Sequence, residues 1–541
     1  MRHPIKGIEK LFLNGSIETL DPYHSVFGAV GISGGRITAL GSERALTDAA
    51  GPDIEIVDLE GGTLFPGLID SHTHLMIYAY LLDGLDLAPP KVACIADIVG
   101  AVKASVEAQR PGKWIRGSRF VEYSLAENRY PTRFDLDPVS PNNPVILYHT
   151  SFHACVLNSA AMRRLGLDQD TPEPPGGVVE KDAGTGEPTG VLHDAAMNEI
   201  AFNRLFISDL EAMTTEARVK MCARAMDKYA EAGIVAAADA LVAPVCFSIY
   251  QEVLAAGKAS VRVYTMPELT FSEHLIQSGL KTGFGNDMLK IGPIKIFLDG
   301  GMSNRTAAVK TAYQCEPYGH GLKMMPKSDL FAAVKQAHEH GFQIAVHCQG
   351  DAALDDLLDA FKSLLGPRSD NPLRHRIEHA GCLYPDLLKR AAAMNIGISS
   401  QPVFFSFLGD GFVEAFGEEG AERLYPFKSM LQAGIHLGGS SDNPVSLHDP
   451  RRGLAGAVLR KSPSGRIVGR HERLTMDEAL HMFTSGSAWL SFEEDIAGTL
   501  EIGKRADFTV FAQDPRNLPA EEVPGVAVKM TVVGGEYTFR R

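Results

Sequence analysis

The sequence predicts an α/β protein: a (β/α)8 TIM-like barrel, a small β-sandwich built from both termini, and an insertion after the first barrel strand. Three observations lead there. Between residues 64 and 484, short apolar runs alternate with helical stretches, and several runs end in His, Lys or Asp. Residues 1–63 and 485–541 instead carry short alternating runs punctuated by glycine pairs. The interval from about 85 to 230 is too long for one βα unit and reads as the insertion.

Taken in order, Leu11–Gly15 and Ala29–Leu40 alternate around Gly34-Gly35, a hairpin signal. The apolar stretch Thr63–Leu68 reads as one short buried strand that leads into Ile69-Asp70-Ser71-His72-Thr73-His74. The insertion holds helical patterns over 95–109 and 211–232, a strand-like run Val145–Tyr148, and a Gly/Pro-rich hairpin between Pro174 and Gly186. Further strands are expected near 234–239, 261–265, 292–298, 342–347, 374–379, 395–400 and 435–441, with helices such as 326–340 and 383–394 between them. At the C-terminus, Asp507–Phe511 reads as a strand, and Val528–Val533 with Glu536–Arg540 as a hairpin about Gly534-Gly535.

Composition narrows the function. Hydrophobic residues make up 45% and charged residues 22% of the 541, enough for a large core without disorder. The net charge of −14 argues against nucleic acid or an anionic membrane as partner. The seven cysteines (94, 155, 222, 246, 315, 348 and 382) form no CxxC pair and read as reduced thiols. The start, Met1-Arg2-His3-Pro4, shows no apolar leader, and no 18-residue apolar run follows. The expectation is a cytoplasmic homo-oligomer, a dimer, acting on a small molecule.

The chemistry gathers at strand ends. On a strand, residues two apart point to one side, so His72 and His74 can converge on a point while Ser71 and Thr73 face away. Lys295 shares a face with Phe297 and Asp299 inside an apolar run, where an ammonium is costly unless neutralised. His347 closes Gln343–His347, and His379 closes Arg374–His379. Asp442 follows Gly438-Gly439-Ser440-Ser441. Any one of these alone reads better as a hydrogen-bonded core histidine or a solvated aspartate; it is the set at strand ends that points to a metal. Four histidines with an aspartate suit Zn2+ or a similar divalent ion.

Four stretches carry a family resemblance: Phe65–His74; Lys295–Gly300 running on to Arg305-Thr306-Ala307-Ala308; His347 with Gly350-Asp351-Ala352-Ala353; and Arg376-Ile377-Glu378-His379-Ala380. With the ending Gly498–Asp507, they resemble the amidohydrolase superfamily, and within it the YtcJ-like amidohydrolases that include N-substituted formamide deformylase. The resemblance implies two metal ions. His72, His74 and Asp442 would hold one and His347 and His379 the other, with Lys295 bridging both as a carbamate. It also implies a histidine of the insertion near the substrate, matched here by His153, with His149 a weaker second. Three positions depart from the usual pattern: Phe152 where glycine is common, Cys348-Gln349 after His347, and Gly381 after Ala380.

The expected activity is hydrolysis of a non-peptide C–N bond in an amide, N-acyl or N-formyl small molecule by a metal-bound hydroxide. Asp442 would act as base and then acid. Arg305 and Thr306 would meet a substrate oxygen, and Tyr313, Tyr318, Phe404, Phe405 and Phe407 could wall a pocket. A cyclic amide hydrolase or a deaminase would use the same residues, and a non-catalytic scaffold of the fold is a third reading.

Overall fold

A computed structural model describes residues 7–50, 53–314, 319–366 and 370–541; Met1–Pro4, Cys315 and Tyr318 lie outside this set. Near the N-terminus, four strands form one sheet in the order Arg36–Gly41, Ala29–Ser33, Lys10–Leu13, Glu55–Asp58. Gly34 and Gly35, at φ 56° and 71°, make the two-residue turn of its hairpin, which needs left-handed backbone at both positions. A helix not expected from the sequence, Glu43–Ala49, follows, capped by the Ser42 side chain.

A second sheet is woven from both ends of the chain. Its order is Glu536–Arg540, Val528–Val533, Phe508–Phe511, Thr63–Pro66, Ser16–Glu18, Val26–Phe27. Phe12, Val30, Ile32 and Val57 of the first sheet and Leu64, Phe508, Val510 and Val532 of the second bury in one cluster.

The run into His72 is two strands, which corrects the sequence reading. Thr63–Pro66 pairs antiparallel with Phe508–Phe511, whereas Leu68–Thr73 pairs parallel with Ile234–Val242. The break falls at Gly67, whose N–H goes to Asp507 O at 2.9 Å. Only glycine fits there, because a Cβ would lie 2.4 Å from Val235 Cγ2.

Leu68–Thr73, Ile234–Val242, Arg262–Pro267 and Leu289–Ile291 form an all-parallel sheet in that order. Ile294–Phe297, Ile344–Cys348, Arg376–His379, Gly397–Ser400 and Leu437–Gly439 form a second. The expected strand 292–298 is therefore preceded by a short one of its own. The sheets meet twice: through a parallel bridge between Glu268 and Lys295, and where Asp442 N–H donates to His72 O and His74 N–H to Asn443 O. Both sheets read as continuous apolar runs because both faces are covered. Helices Lys327–Glu339, Asp351–Leu365 and Pro385–Ala393 cover the second sheet with residues spaced three and four apart, such as Leu354, Leu357, Leu358 and Phe361.

The insertion has its own six-stranded sheet, ordered Gly177–Lys181, Pro188–Asp194, Ala154–Leu157, Val145–His149, Ile115–Phe120, Leu85–Asp86. The helical pattern 211–232 is divided: Asn203–Ala212 ends before Thr214, whose side chain caps Thr215–Glu231. The described cysteines are free thiols, and no helix of the described residues is long and apolar enough to cross a membrane.

Gly67→Ala should lower stability by about 1–3 kcal/mol through overpacking. Calorimetric melting checks this, and Val235→Ala in the same chain should recover part of the loss. An unchanged melting temperature for Gly67→Ala would disprove the close approach.

Candidate metal centre

Leu68–Thr73 delivers His72, and His74 follows as the residue that opens helix Leu75–Leu81. Their rings stand 5.4 Å apart. Each ring is oriented by its Nδ1. That of His74 donates to Ala240 O at 3.2 Å, and that of His72 meets the Glu378 carboxylate in a very short contact. With both protons on Nδ1, both Nε2 atoms are lone-pair donors. Burial, with Lys295 nearby, pushes His72 well below its ordinary pKa, so the ring stays neutral.

Both lone pairs face one carboxylate. Asp442 Oδ1 lies 3.1 Å from His74 Nε2 and 3.5 Å from His72 Nε2. No hydrogen bond to Oδ1 is made among the described residues, although it is buried. Asp442 stands at φ 55°, a left-handed conformation uncommon outside glycine. Three lone-pair atoms converging without a proton between them repel one another; a cation at their centre removes the repulsion. These ligand atoms all lie within 4.8 Å of one another, so the residues fit a metal.

Lys295 Nζ is 3.4 Å from His72 Nε2 and fully buried; desolvation brings its pKa down to about 8. Phe297 lies beside it, 4.9 Å from Nζ to the ring centre, and stacks on His347. His347 and His379 stand 4.5 Å apart, ring centre to ring centre, and His379 is 4.9 Å from His72. His379 donates Nδ1–H to Gln401 Oε1 at 2.8 Å, and His347 Nε2 contacts Gly300 O at 3.2 Å. His379 follows Glu378 directly, yet both side chains reach His72. The positive φ of 73° at His379 permits this by breaking the strand's alternation.

His153 reaches the same cavity from the insertion, its ring 5.3 Å from His347 and its Nδ1 bonded to Asp194 Oδ1 at 2.8 Å. Phe404, Leu408 and Phe412 form an apolar wall. Of the unusual positions noted in the sequence, Phe152 and Gln349 line this space, and Gly381 lies against Gln349. Phe152 adopts φ 58°, where glycine would be at ease, and stacks on Tyr148. Gly381 leaves room for Met302 and Gln349, since a Cβ there would sit 2.7 Å from Gln349 Oε1.

Other sequence candidates are not brought to the cavity. Arg305 Nη2 pairs with Glu414 at 2.8 Å, and neither Arg305 nor Thr306 lines it; Thr306 Oγ1 donates to Asp194 instead. Tyr313 bonds Ala307 O, Phe405 packs in the core, and the half-buried Phe407 packs against it. The sequence reading assigned no role to Arg376, Glu378, Asp194 or Gln401. Arg376 and Glu378 carried a signal nonetheless: two opposite charges two apart in a buried strand must pair or reach a common partner.

The profile of the amidohydrolase family matches residues 55–539. The N-substituted formamide deformylase of Arthrobacter pascens is 31% identical over 541 residues, 98% of each chain. YtcJ of Bacillus subtilis (strain 168) is 30% identical over 95% of this chain and 96% of its own. The crystal structure of an uncharacterized metal-dependent hydrolase from Pyrococcus horikoshii OT3 superposes with a TM-score of 0.76 at 28% identity, covering 95% of this chain and 99% of that one.

Glu378→Ala should destabilise the protein by about 3–5 kcal/mol, because it strands the Arg376 charge in the interior. Glu378→Gln, which keeps an acceptor for His72, should fold better and lose about 10–100-fold in metal affinity through the looser ring. Denaturation and metal titration separate the two effects, and wild-type metal affinity in Glu378→Gln would sink the orienting role.

Proposed function

Because the chain belongs to the amidohydrolase family, we propose that it is a metal-dependent hydrolase of the exocyclic C–N bond in N-acyl or N-formyl small molecules. The observation that carries this reading is Asp442 Oδ1, buried, without a hydrogen bond, and faced by two unprotonated histidine nitrogens. The near full-length likeness to a formamide deformylase supports the substrate class. In this reading the two parallel sheets close into one (β/α)8 barrel over residues 64–484, and residues 1–63 with 485–541 form the β-sandwich. The hydrogen bonds at both seams support the closure.

His72, His74 and Asp442 would hold one divalent ion, zinc or a similar metal. His347 and His379 would hold a second, with Lys295 between them as a carbamate. A pKa of about 8 leaves part of the Lys295 population as the free amine, the form that adds CO2. Bound metal supplies Lewis-acid polarisation of the carbonyl and an acidified water. The chain supplies the rest. Asp442 takes a proton from the attacking water and returns it to the leaving nitrogen. His153, fixed by Asp194 through Nδ1, presents Nε2 to the cavity as a second polar contact for the substrate. Phe404, Leu408 and Phe412 receive an apolar substituent and exclude water.

Three outcomes test this. Purified protein should contain one to two divalent ions per chain by elemental analysis, hydrolyse members of an N-formyl and N-acyl amide panel to acid plus amine, and lose that activity on chelation. Full turnover by metal-free protein would overturn the mechanism. Asp442→Asn should lower kcat by about 10² or more while keeping metal, whereas His379→Asn should bind metal more weakly. Near-normal turnover in metal-loaded Asp442→Asn would move the proton role elsewhere. Intact mass spectrometry at neutral pH should show an added CO2 that disappears on acidification and is absent from Lys295→Ala. An unmodified wild-type mass would remove the carbamate.

A further inference from the structure

His149 is the insertion histidine that the metal centre does not use. Its ring is fully buried, bordered by Phe120 at 5.4 Å and Tyr130 at 5.6 Å between ring centres. Its Nδ1 accepts the Ser151 backbone N–H at 3.1 Å and lies 2.7 Å from Ser151 Oγ. A backbone N–H can only donate, so Nδ1 is unprotonated, the Ser151 hydroxyl proton points at it, and the ring proton is on Nε2. Nε2 lies 2.7 Å from Glu122 Oε2. Among the described residues neither Nε2 nor Oε2 makes a hydrogen bond, so the two buried atoms face each other as a close polar contact, out of line for a formed bond. Burial raises the Glu122 pKa, but His149 outweighs it, and the carboxyl ionises below its usual range.

Ser151 is the end of this array that meets open space. It lines the same cavity as His72, His153 and Asp442. Its Oγ also receives the His153 N–H at 3.1 Å, which fixes the hydroxyl's position and leaves its proton for His149 Nδ1. The turn is pinned on both sides, by Thr150 Oγ1 donating to Val445 O at 3.0 Å and by Phe152 N–H donating to His149 O at 3.0 Å. A hydroxyl hydrogen-bonded to a base, with a carboxylate beside the base to balance its charge, is an arrangement that activates a serine nucleophile.

We propose that Glu122, His149 and Ser151 form a second catalytic array, in which Ser151 is a nucleophile that takes acyl groups from small activated esters independently of metal. In the first step the Ser151 Oγ–C bond forms, the hydroxyl proton passes to His149 Nδ1, the ester C–O bond breaks, and His149 returns the proton to the departing alkoxide. In the second, water loses a proton to His149 as it attacks the acyl-serine, and the acid leaves with Ser151 restored. Glu122 stays ionised throughout and balances the imidazolium.

The test is covalent labelling of the full-length protein with a fluorophosphonate, run before and after chelation. Attack by Oγ forms an O–P bond and expels fluoride. The expected result is one adduct per chain, mapped to Ser151 by peptide mass, at equal rates with and without metal, together with a p-nitrophenolate burst from p-nitrophenyl acetate. Ser151→Ala, a small change that should leave the melting temperature unaltered, should abolish both. His149→Gln should slow labelling about 10²-fold or more and Glu122→Gln about tenfold or more. A folded wild-type protein that takes no label at Ser151 overturns the proposal, as does labelling of His149→Gln at the wild-type rate. Because labelling is read on chelated protein, and amide hydrolysis on metal-loaded protein, either function can fail without the other.

Discussion

The site depends on one carboxylate that does not line the cavity. Glu378 is wholly buried and holds Arg376 on one side, at 2.6 and 2.9 Å, and His72 on the other. Arg376 in turn donates to Ser71 O at 2.6 Å, in the strand that carries His72. A buried ion pair is expensive to form and more expensive to break. Here the pair fixes the tautomer of His72 and braces its strand against Arg376–His379 across the interior. Position and protonation of the ring are therefore set by one network.

The carboxylates beneath the centre follow the same logic. Burial raises Asp70 to about 7, Asp239 to about 6 and Asp299 to about 7. Each is met by fixed donors: Ser441 for Asp70, Tyr250 for Asp239, and the backbone N–H groups of Ala308, Gln349 and Gly350 for Asp299. Such carboxyls hold the loops that follow the strands, so the strand-end residues above them start from a fixed base.

Much of this was legible in the chain. The alternation of strands and helices, the paired ends and the convergence of His72 and His74 rest on local signals, namely periodicity, glycine pairs and spacing of two, whereas Asp442 is joined to them only through the family resemblance. What escaped was non-local. Nothing in Thr63–Leu68 announces that a strand must change sheets at Gly67, because Val235, which forces the glycine, lies far away in sequence. Arg305 follows an apolar strand as a substrate contact might, but its pairing with Glu414 depends on a helix over a hundred residues later. His379 reaches the cluster through a backbone angle that its residue type does not advertise.

The change of sheet at Gly67 also bears on the order in which the protein can fold. The strand just before the first two histidines is clamped by Phe508–Phe511, and the break itself by Asp507. A chain folded only as far as His74 lacks the edge that fixes the approach of His72 and His74, because that edge lies more than four hundred residues later. Pairing these segments closes a loop of more than four hundred residues, a slow step that favours contacts already made elsewhere. A centre built this way is finished only when segments far apart in the chain have paired, and a chain without Asp507–Phe511 leaves the approach to His72 unclamped.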